Sequence, residues 1–228
     1  MVEIKYFGHS AVGIKTGGMT ILIDPFLTGN PQMRGDPSAV KADVVCVTHG
    51  HSDHLGDTID IAKRSRSLVI APFELALYLQ KKGCHVHPMH IGGAKSFNWG
   101  RVKLTPALHG SAVIEDDGKV IYTGNPCGFL VTVEGKTIYH AGDTGLSAEM
   151  EVIGRMNPID LAFIPIGDNF TMGPEDAVEA VRMLKPKKVV PMHFSTWDII
   201  AQDPESFRRH ASAVAQVEIV EPGKTITL

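Results

Sequence analysis

His49-Gly50-His51-Ser52-Asp53-His54 follows directly on the apolar run Val44-Val45-Cys46-Val47 and puts three imidazoles and one carboxylate within six residues. Neutral imidazole and carboxylate together are the usual ligand set of catalytic zinc and related divalent ions. Residues two apart in extended backbone point to the same side, so His49 and His51 can converge on one ion. Asp53 and His54 come after a change of direction and can aim at a neighbouring position. Gly50 and Ser52 are small and leave room for close turns of backbone. The stretch holds more ligands than one open site can use, which implies a second metal or a second role. It lies at the end of a predicted strand and before a predicted helix, the crevice where α/β proteins usually bind ligands.

Upstream, Val2 to Phe7, Ala11 to Lys15 and Met19 to Ile23 read as strands separated by Gly8 and by Gly17-Gly18, an antiparallel meander. Asp24-Pro25 ends the third. Residues 25–41, rich in Gly, Pro, Asn and Asp, form a long connection. It reads equally as a mobile lid with Phe26, Leu27 and Met33 as an apolar wall, or as a plain surface loop. Downstream, a helix capped by Asp57 or Thr58 follows the histidines, with Ile59, Ile61 and Ala62 facing inward. A strand at Leu68 to Ala71 and a helix at Phe73 to Lys82 continue the alternation. Further strands are expected at Val102 to Leu108, Gly128 to Val133, Thr137 to Tyr139, Leu161 to Pro165 and Val189 to Pro191, with helices at Ser147 to Met156 and Pro174 to Leu184. Pro174 at a first helical position, with Glu175 and Asp176 in that turn, is a good start signal. Strands come first and βα units later in each half, which suggests a four-layer arrangement of two similar halves, about 1–115 and 116–228, within one domain.

The chain has 228 residues, 43% of them hydrophobic, and a formal net charge of −3. That charge exerts no long-range pull toward nucleic acid or anionic membrane. The pairs Lys63-Arg64, Lys81-Lys82, Lys187-Lys188 and Arg208-Arg209 fall near predicted helix ends and read as solvated turns. Three scattered cysteines, Cys46, Cys84 and Cys127, lack any CxxC pair, and Cys46 reads as a small core residue. The N-terminus starts a strand at once, without the apolar stretch of a signal peptide, and no run is apolar and long enough to span a membrane. A cytoplasmic location is expected, with the oligomeric state left open.

Three more metal-type ligands end strands in the same way: His109, Asp143 in Ala141-Gly142-Asp143-Thr144-Gly145, and His193 after Val189-Val190-Pro191-Met192. His9 reads equally as a residue beside the site and as a satisfied core histidine. Asp24 reads as orienting a ligand histidine, with a turn-forming Asp before Pro as the competing view. His140 is expected to point away from Asp143 in a structural role. Asp168 and Asn169 either line the pocket or only form a turn. His85, His87 and His90 alternate along a short segment and read as an exposed edge.

His-x-His-x-Asp-His, then a lone His, an Asp in Gly-Asp-Thr-Gly and a late His together resemble the metallo-β-lactamase superfamily. Phe7-Gly8-His9-Ser10, Leu22-Ile23-Asp24-Pro25-Phe26 and Met172-Gly173-Pro174-Glu175-Asp176-Ala177 resemble its small cytosolic branch of metal-dependent hydrolases. That branch is related to L-ascorbate-6-phosphate lactonase and, more distantly, to N-acyl-phosphatidylethanolamine phospholipase D. The resemblance covers essentially the whole chain. It implies an α/β (α+β) fold, the αβ/βα sandwich, and two divalent ions, zinc foremost, with manganese or iron as alternatives. It places His49, His51 and His109 on one ion and Asp53, His54 and His193 on the other, with Asp143 and a hydroxide bridging. Asp53 and Asp143 are its catalytic carboxylates. Two divalent cations outweigh those carboxylates and a hydroxide, leaving a positive site suited to an anionic transition state and, by expectation, to a small anionic substrate.

The expected activity is hydrolysis of a small ester, lactone or phosphoester. Gly8-His9-Ser10-Ala11-Val12 lacks the last glycine of a serine-hydrolase elbow, and no phosphate loop or dinucleotide fingerprint is present. A nuclease of the tRNA 3′-processing kind shares the ligands, but mild acidity and the want of an RNA-gripping insertion count against it. A non-catalytic metal-binding module would need closed coordination, whereas seven ligands for two ions leave positions open.

Overall fold

Gly17 and Gly18 both sit at positive φ, 53° and 82°, and join β2 (Ala11–Thr16) to β3 (Met19–Ile23) through a two-residue hairpin. Glycine enters that left-handed region without steric cost, which is why the pair turns the chain here. The computed structural model describes residues 1–228. β1 (Glu3–Gly8) pairs antiparallel with β2, and β4 (Val44–Cys46), β5 (Leu68–Pro72) and β6 (His85–Met89) add in parallel beyond β3.

The second sheet repeats the plan. β7 (Ala94–Phe97), β8 (Gly100–Pro106), β11 (Cys127–Val133) and β12 (Lys136–His140) are antiparallel neighbours, and β13 (Leu161–Pro165), β14 (Lys188–Met192) and β15 (Gln216–Val217) extend them in parallel. Between β8 and β11 a two-stranded ribbon, β9 (Ala112–Ile114) with β10 (Val120–Tyr122), leaves the sheet. The final strand, β16 (Thr225–Thr227), returns to the first sheet and pairs with β1, so both large sheets have seven strands.

β4 shows why its sequence is apolar on every residue. Val44 and Cys46 belong to the larger buried cluster, with Ile4, Ile14 and Ile21 of the same sheet and Phe129, Val131 and Ile138 of the other. Val45 and Val47 face the opposite side and pack with Ile61 and Ala62 of α2 (Thr58–Ser65) and Leu75, Ala76 and Leu79 of α3 (Phe73–Lys81). A strand covered on both faces reads as a continuous hydrophobic run. Beyond the second sheet, α4 (Glu149–Met156), α5 (Pro174–Leu184) and α6 (Pro204–Ala211) add Met150, Ala177 and Phe207 to the larger cluster. Helices outside two apposed sheets make the four-layer sandwich.

Several local expectations change. Ser52–Leu55 is not loop but a single helical turn, α1, with His51 at its N-cap, and this turn supplies the change of direction between His51 and Asp53. Asp57 precedes α2 without capping it; its carboxylate instead accepts the backbone N–H groups of Leu27 and Thr28, at 2.9 and 2.8 Å, and the Thr28 hydroxyl. β8 stops at Pro106, which has no N–H to continue a ladder, and so Leu108 emerges exposed. β6 is the edge strand of its sheet, with His85 exposed on it. All three cysteines are free and buried. No helix is long and apolar enough to cross a membrane.

Candidate metal centre

His9, Asp24, the hexapeptide, His109, Asp143 and His193 each lie shortly past the C-terminal end of a strand: β1, β3, β4, β8, β12 and β14 respectively. The fold brings their side chains together in three overlapping groups whose ligand atoms all lie within 4.8 Å: His49, His51 and His109; His49, His54 and Asp143; and His9, Asp53, His54 and His193. Each group draws on residues from both sides of the sandwich.

Buried Asp24 organises the first half of the site. Its Oδ1 accepts the Thr48 N–H at 2.8 Å, and its Oδ2 accepts the Thr48 hydroxyl at 2.6 Å and His54 Nδ1–H at 2.7 Å. The Thr48 hydroxyl has one proton and gives it to Asp24, so its oxygen, 2.9 Å from His49 Nδ1, must accept there. His49 is thereby held as the tautomer with a bare Nε2, and His54, with its Nδ1 proton fixed on Asp24, turns its Nε2 toward Asp143. This is the outer-shell carboxylate pattern of metal-bound histidines. Asp24 itself takes φ 47°, a left-handed turn that bends the chain under the ligands.

His51 Nδ1 stands 3.0 Å from His49 Nε2 and 3.3 Å from His109 Nε2. With His49 Nε2 bare, three ring nitrogens of neutral imidazoles crowd one point. Burial holds the pKa of His49 well below the ordinary histidine value and lowers His51 and His109 as well. One imidazole proton cannot serve three converging ring nitrogens, and a cation can.

Asp143 links this trio to the second. Its Oδ1 is 3.1 Å from His54 Nε2, and its Oδ2 is 3.0 Å from His193 Nε2 and 3.6 Å from His109 Nε2. Nevertheless Asp143 Oδ1, His54 Nε2 and His193 Nε2 have no hydrogen-bond partner, because the angles are wrong at these distances. The atoms point past one another at shared positions, as ligands around ions do. Burial raises the Asp143 pKa, but the charges of His193 and His54 outweigh it and hold the carboxyl well below the usual range. For His54 burial acts to lower the pKa, yet Asp143 and Asp24 hold it well above the ordinary value.

Asp53 is half-buried, its Oδ2 lying 3.1 Å from His9 Nε2, 3.7 Å from His193 Nε2 and 3.9 Å from His54 Nε2. Burial pushes the His9 pKa down to about 4, against the pull of Asp53, so its ring is neutral. A carboxylate only accepts, so His9 Nε2–H donates to Asp53, and His9 Nδ1 accepts the Thr196 hydroxyl at 2.7 Å. The His9 backbone is pinned too: its N–H donates to Gln32 Oε1 at 2.7 Å, and its carbonyl accepts the His193 N–H at 2.8 Å.

Two glycines hold ligands by close approach. A Cβ on Gly50 would sit 2.5 Å from Thr123 Oγ1 and 3.0 Å from the Ala112 carbonyl carbon. A Cβ on Gly167 would sit 2.2 Å from the His193 carbonyl oxygen. His140 lies apart from the ligand atoms; its buried Nε2–H donates to the Ser10 carbonyl at 2.9 Å and its Nδ1 accepts from Gly142, so its role is structural. Asp168 and Asn169 do not join the three groups. Both are exposed at positive φ in the turn after β13, where the Asp168 N–H donates to the Met172 carbonyl. Thr48, Thr196, Gln32 and Trp197 are site residues that the sequence reading missed. Thr48, directly before His49, and Trp197, four residues after His193, were the available signals.

The donor set fits divalent ions: only histidine and carboxylate, tautomers fixed from behind, bare atoms converging in front. The beta-lactamase superfamily domain model matches residues 3–193. A UPF0173 metal-dependent hydrolase of Pelotomaculum thermopropionicum is 52% identical over 229 residues, covering 100% of both chains. Another from Bacillus licheniformis is 59% identical over 207 residues, 90% of this chain and 91% of that one. Among solved structures, the metallo hydrolase Igni18 from the hyperthermophilic archaeon Ignicoccus hospitalis is 36% identical with a TM-score of 0.90, over 100% of this chain and 98% of that one. The chain belongs to the metallo-β-lactamase superfamily and, within it, to the UPF0173 metal-dependent hydrolases.

Proposed function

We propose that the chain is a dinuclear hydrolase acting on a small ester, lactone or phosphoester. His49, His51 and His109 hold one ion, Asp53, His54 and His193 hold the other, and Asp143 spans both. The position of Asp143 carries this reading: one carboxylate has an oxygen 3.1 Å from His54 Nε2 and another 3.6 Å from His109 Nε2, so it reaches both trios. Divalent ions there would supply Lewis acidity and ionise water near neutral pH. Zinc suits the ligands, as do manganese and iron.

The chain's own residues do the rest. His9 is not a ligand in this scheme, since its Nε2 carries a proton; it fixes the rotamer of Asp53. Asp24 and Thr48 orient His54 and His49. Asp53 and Asp143 hold negative charge that offsets part of the metal charge, so that a net positive field meets the oxyanion developing in the transition state. The leaving oxygen takes up its proton on departure.

Metal analysis of purified protein, together with turnover of a phosphodiester, a lactone and precursor tRNA, tests the reading. We expect close to two ions per chain, with metal-dependent turnover. His49→Ala and Asp143→Ala each lose metal and activity while the fold persists. Full turnover by a metal-stripped double variant sinks the proposal, and cleavage of precursor tRNA alone replaces it with a nuclease.

A further inference from the structure

The loops that build the metal centre carry no cation. Residues 24–33, 47–57, 107–111, 141–148, 166–173 and 193–203 contain not one lysine or arginine, although the chain has 22. What these loops do expose includes large apolar side chains. Leu108, next to His109, is 58% exposed; Phe170 is 53%, Trp197 41% and Ile199 61%. Trp197 stands edge-on to His9 with ring centroids 5.1 Å apart, and Phe26 lies 5.7 Å from His9 and 6.1 Å from Trp197. Leu108 is tied to the Asp143 loop by its N–H to Thr144 Oγ1, and the Phe170 turn by the Met172 N–H to the Thr144 carbonyl. Four separate loops thus present large apolar side chains around one site. Large exposed apolar groups gathered at a polar centre mark a binding surface.

A phosphate ester brings its charge into the ground state, and proteins meet such charge with metal ions joined by arginine, lysine or a helix N-terminus. At the N-terminus of α5 the Asp168 carboxyl group stands close by, 3.3 Å from where a Cβ of Gly173 would be, and Glu175 and Asp176 follow in the first turn, so an anion there meets three carboxylates. Exposed Asp168 and Asp198 add negative charge to these loops. The positive field of the ions answers the charge that develops at the reacting oxygen, and so does not by itself call for an anionic substrate.

We propose that the substrate is an uncharged carboxylic ester or lactone whose apolar acyl part seats against Trp197 and Phe26, and not a phosphate ester. This rests on the dinuclear reading above and narrows it. In the reaction, the oxygen of water bonds to the acyl carbon, the bond from that carbon to the alkoxy oxygen breaks, and the alcohol and acid share the protons of water. No further reactant is needed.

The test uses the metal-loaded full chain with p-nitrophenyl acetate, butyrate and hexanoate, and with bis(p-nitrophenyl) phosphate. We expect kcat/KM to rise by about a hundredfold from acetate to butyrate, two methylenes at roughly tenfold each in an apolar pocket. The phosphodiester should trail the butyrate ester by at least about a hundredfold. Trp197→Ala should flatten the chain-length dependence through KM, and Trp197→Phe should restore it; unchanged melting curves separate this from misfolding. A phosphodiester preference with metal-dependent turnover overturns the substrate class and leaves the dinuclear reading standing. Equal rates for all three acyl lengths, or no ester turnover at all, likewise overturn it. Ester turnover that survives removal of metal instead sinks the dinuclear reading.

Discussion

Asp24 Oδ2 accepts the Nδ1–H of His54 at 2.7 Å, with both side chains fully buried. The same carboxylate takes both protons that Thr48 offers, so one aspartate orients two histidines of the cluster. Asp24→Ala would leave these donors buried without an acceptor. We expect metal affinity to fall by about ten- to a hundredfold and the melting temperature to drop, each orphaned donor costing about 1–3 kcal/mol. Chelator competition and calorimetry read the two effects. A variant with unchanged metal affinity would refute the orienting role.

The histidines facing the carboxylates make stability depend on pH in the metal-free chain. Burial works to lower His193, but Asp143 and Asp53 outweigh it and push its pKa from 6.5 to about 9. A raised folded pKa contributes stability that is complete below the unfolded value and lost as pH climbs through the folded one. Asp143, held well below its ordinary value, behaves oppositely: its contribution is present above the usual carboxylate range and lost in acid. The melting temperature of chelated protein should therefore fall between pH 6.5 and about 9. Bound ions displace that proton, so the loaded protein should hold its melting temperature over this window while metal affinity rises. Parallel pH profiles with and without metal would contradict the assignment.

Gly50 has no room for a side chain, because Thr123 and the Ala112 backbone stand where a Cβ would go. In Gly50→Ala the segment carrying His49 and His51 must shift, at a cost of about 1–3 kcal/mol. Metal loss should fall first on the half-site of His49, His51 and His109, visible as about half the normal metal content. Full occupancy and wild-type stability would count against the close packing.

Asp57 ties residues 27 and 28 to the start of α2 rather than capping that helix. Asp57→Ala should accordingly leave α2 intact and loosen the segment that holds Phe26 and Gln32. Hydrogen exchange at Leu27 and Thr28 should quicken, with KM rising more than kcat falls. Protected amides there would exclude the tether.

The clustering of these histidines and aspartates was legible because their chemistry is rare and each follows an apolar strand. The βα alternation was legible because its strands are apolar throughout and its helices are amphipathic. The supporting residues were not. Thr196 meets His9 across 187 positions of sequence, and Gln32 joins His9 to the Phe194 carbonyl, 162 positions further on. Threonine and glutamine in polar loops carry no signal until the fold juxtaposes them. β16 hid for the same reason, since Thr225–Thr227 is a strand only because β1 lies beside it. Asp57 has a capping residue's identity and position, and only the nearby Leu27 and Thr28 amides divert it. Antiparallel strands followed by parallel ones recur in both sheets.

Every cluster of ligand atoms mixes the two sides of the sandwich: His109 joins His49 and His51, Asp143 joins His49 and His54, and His193 joins His9, Asp53 and His54. Ions held there would act as rivets through the seam between the sheets. Stripping them would remove cross-links as well as catalysis, and leave the joint to the apolar cluster that the two sheets share and to the pairing of Asp143 with His54 and His193. Bound metal would then add to the apolar packing between the sheets, so that the firmness of the joint itself reports loading.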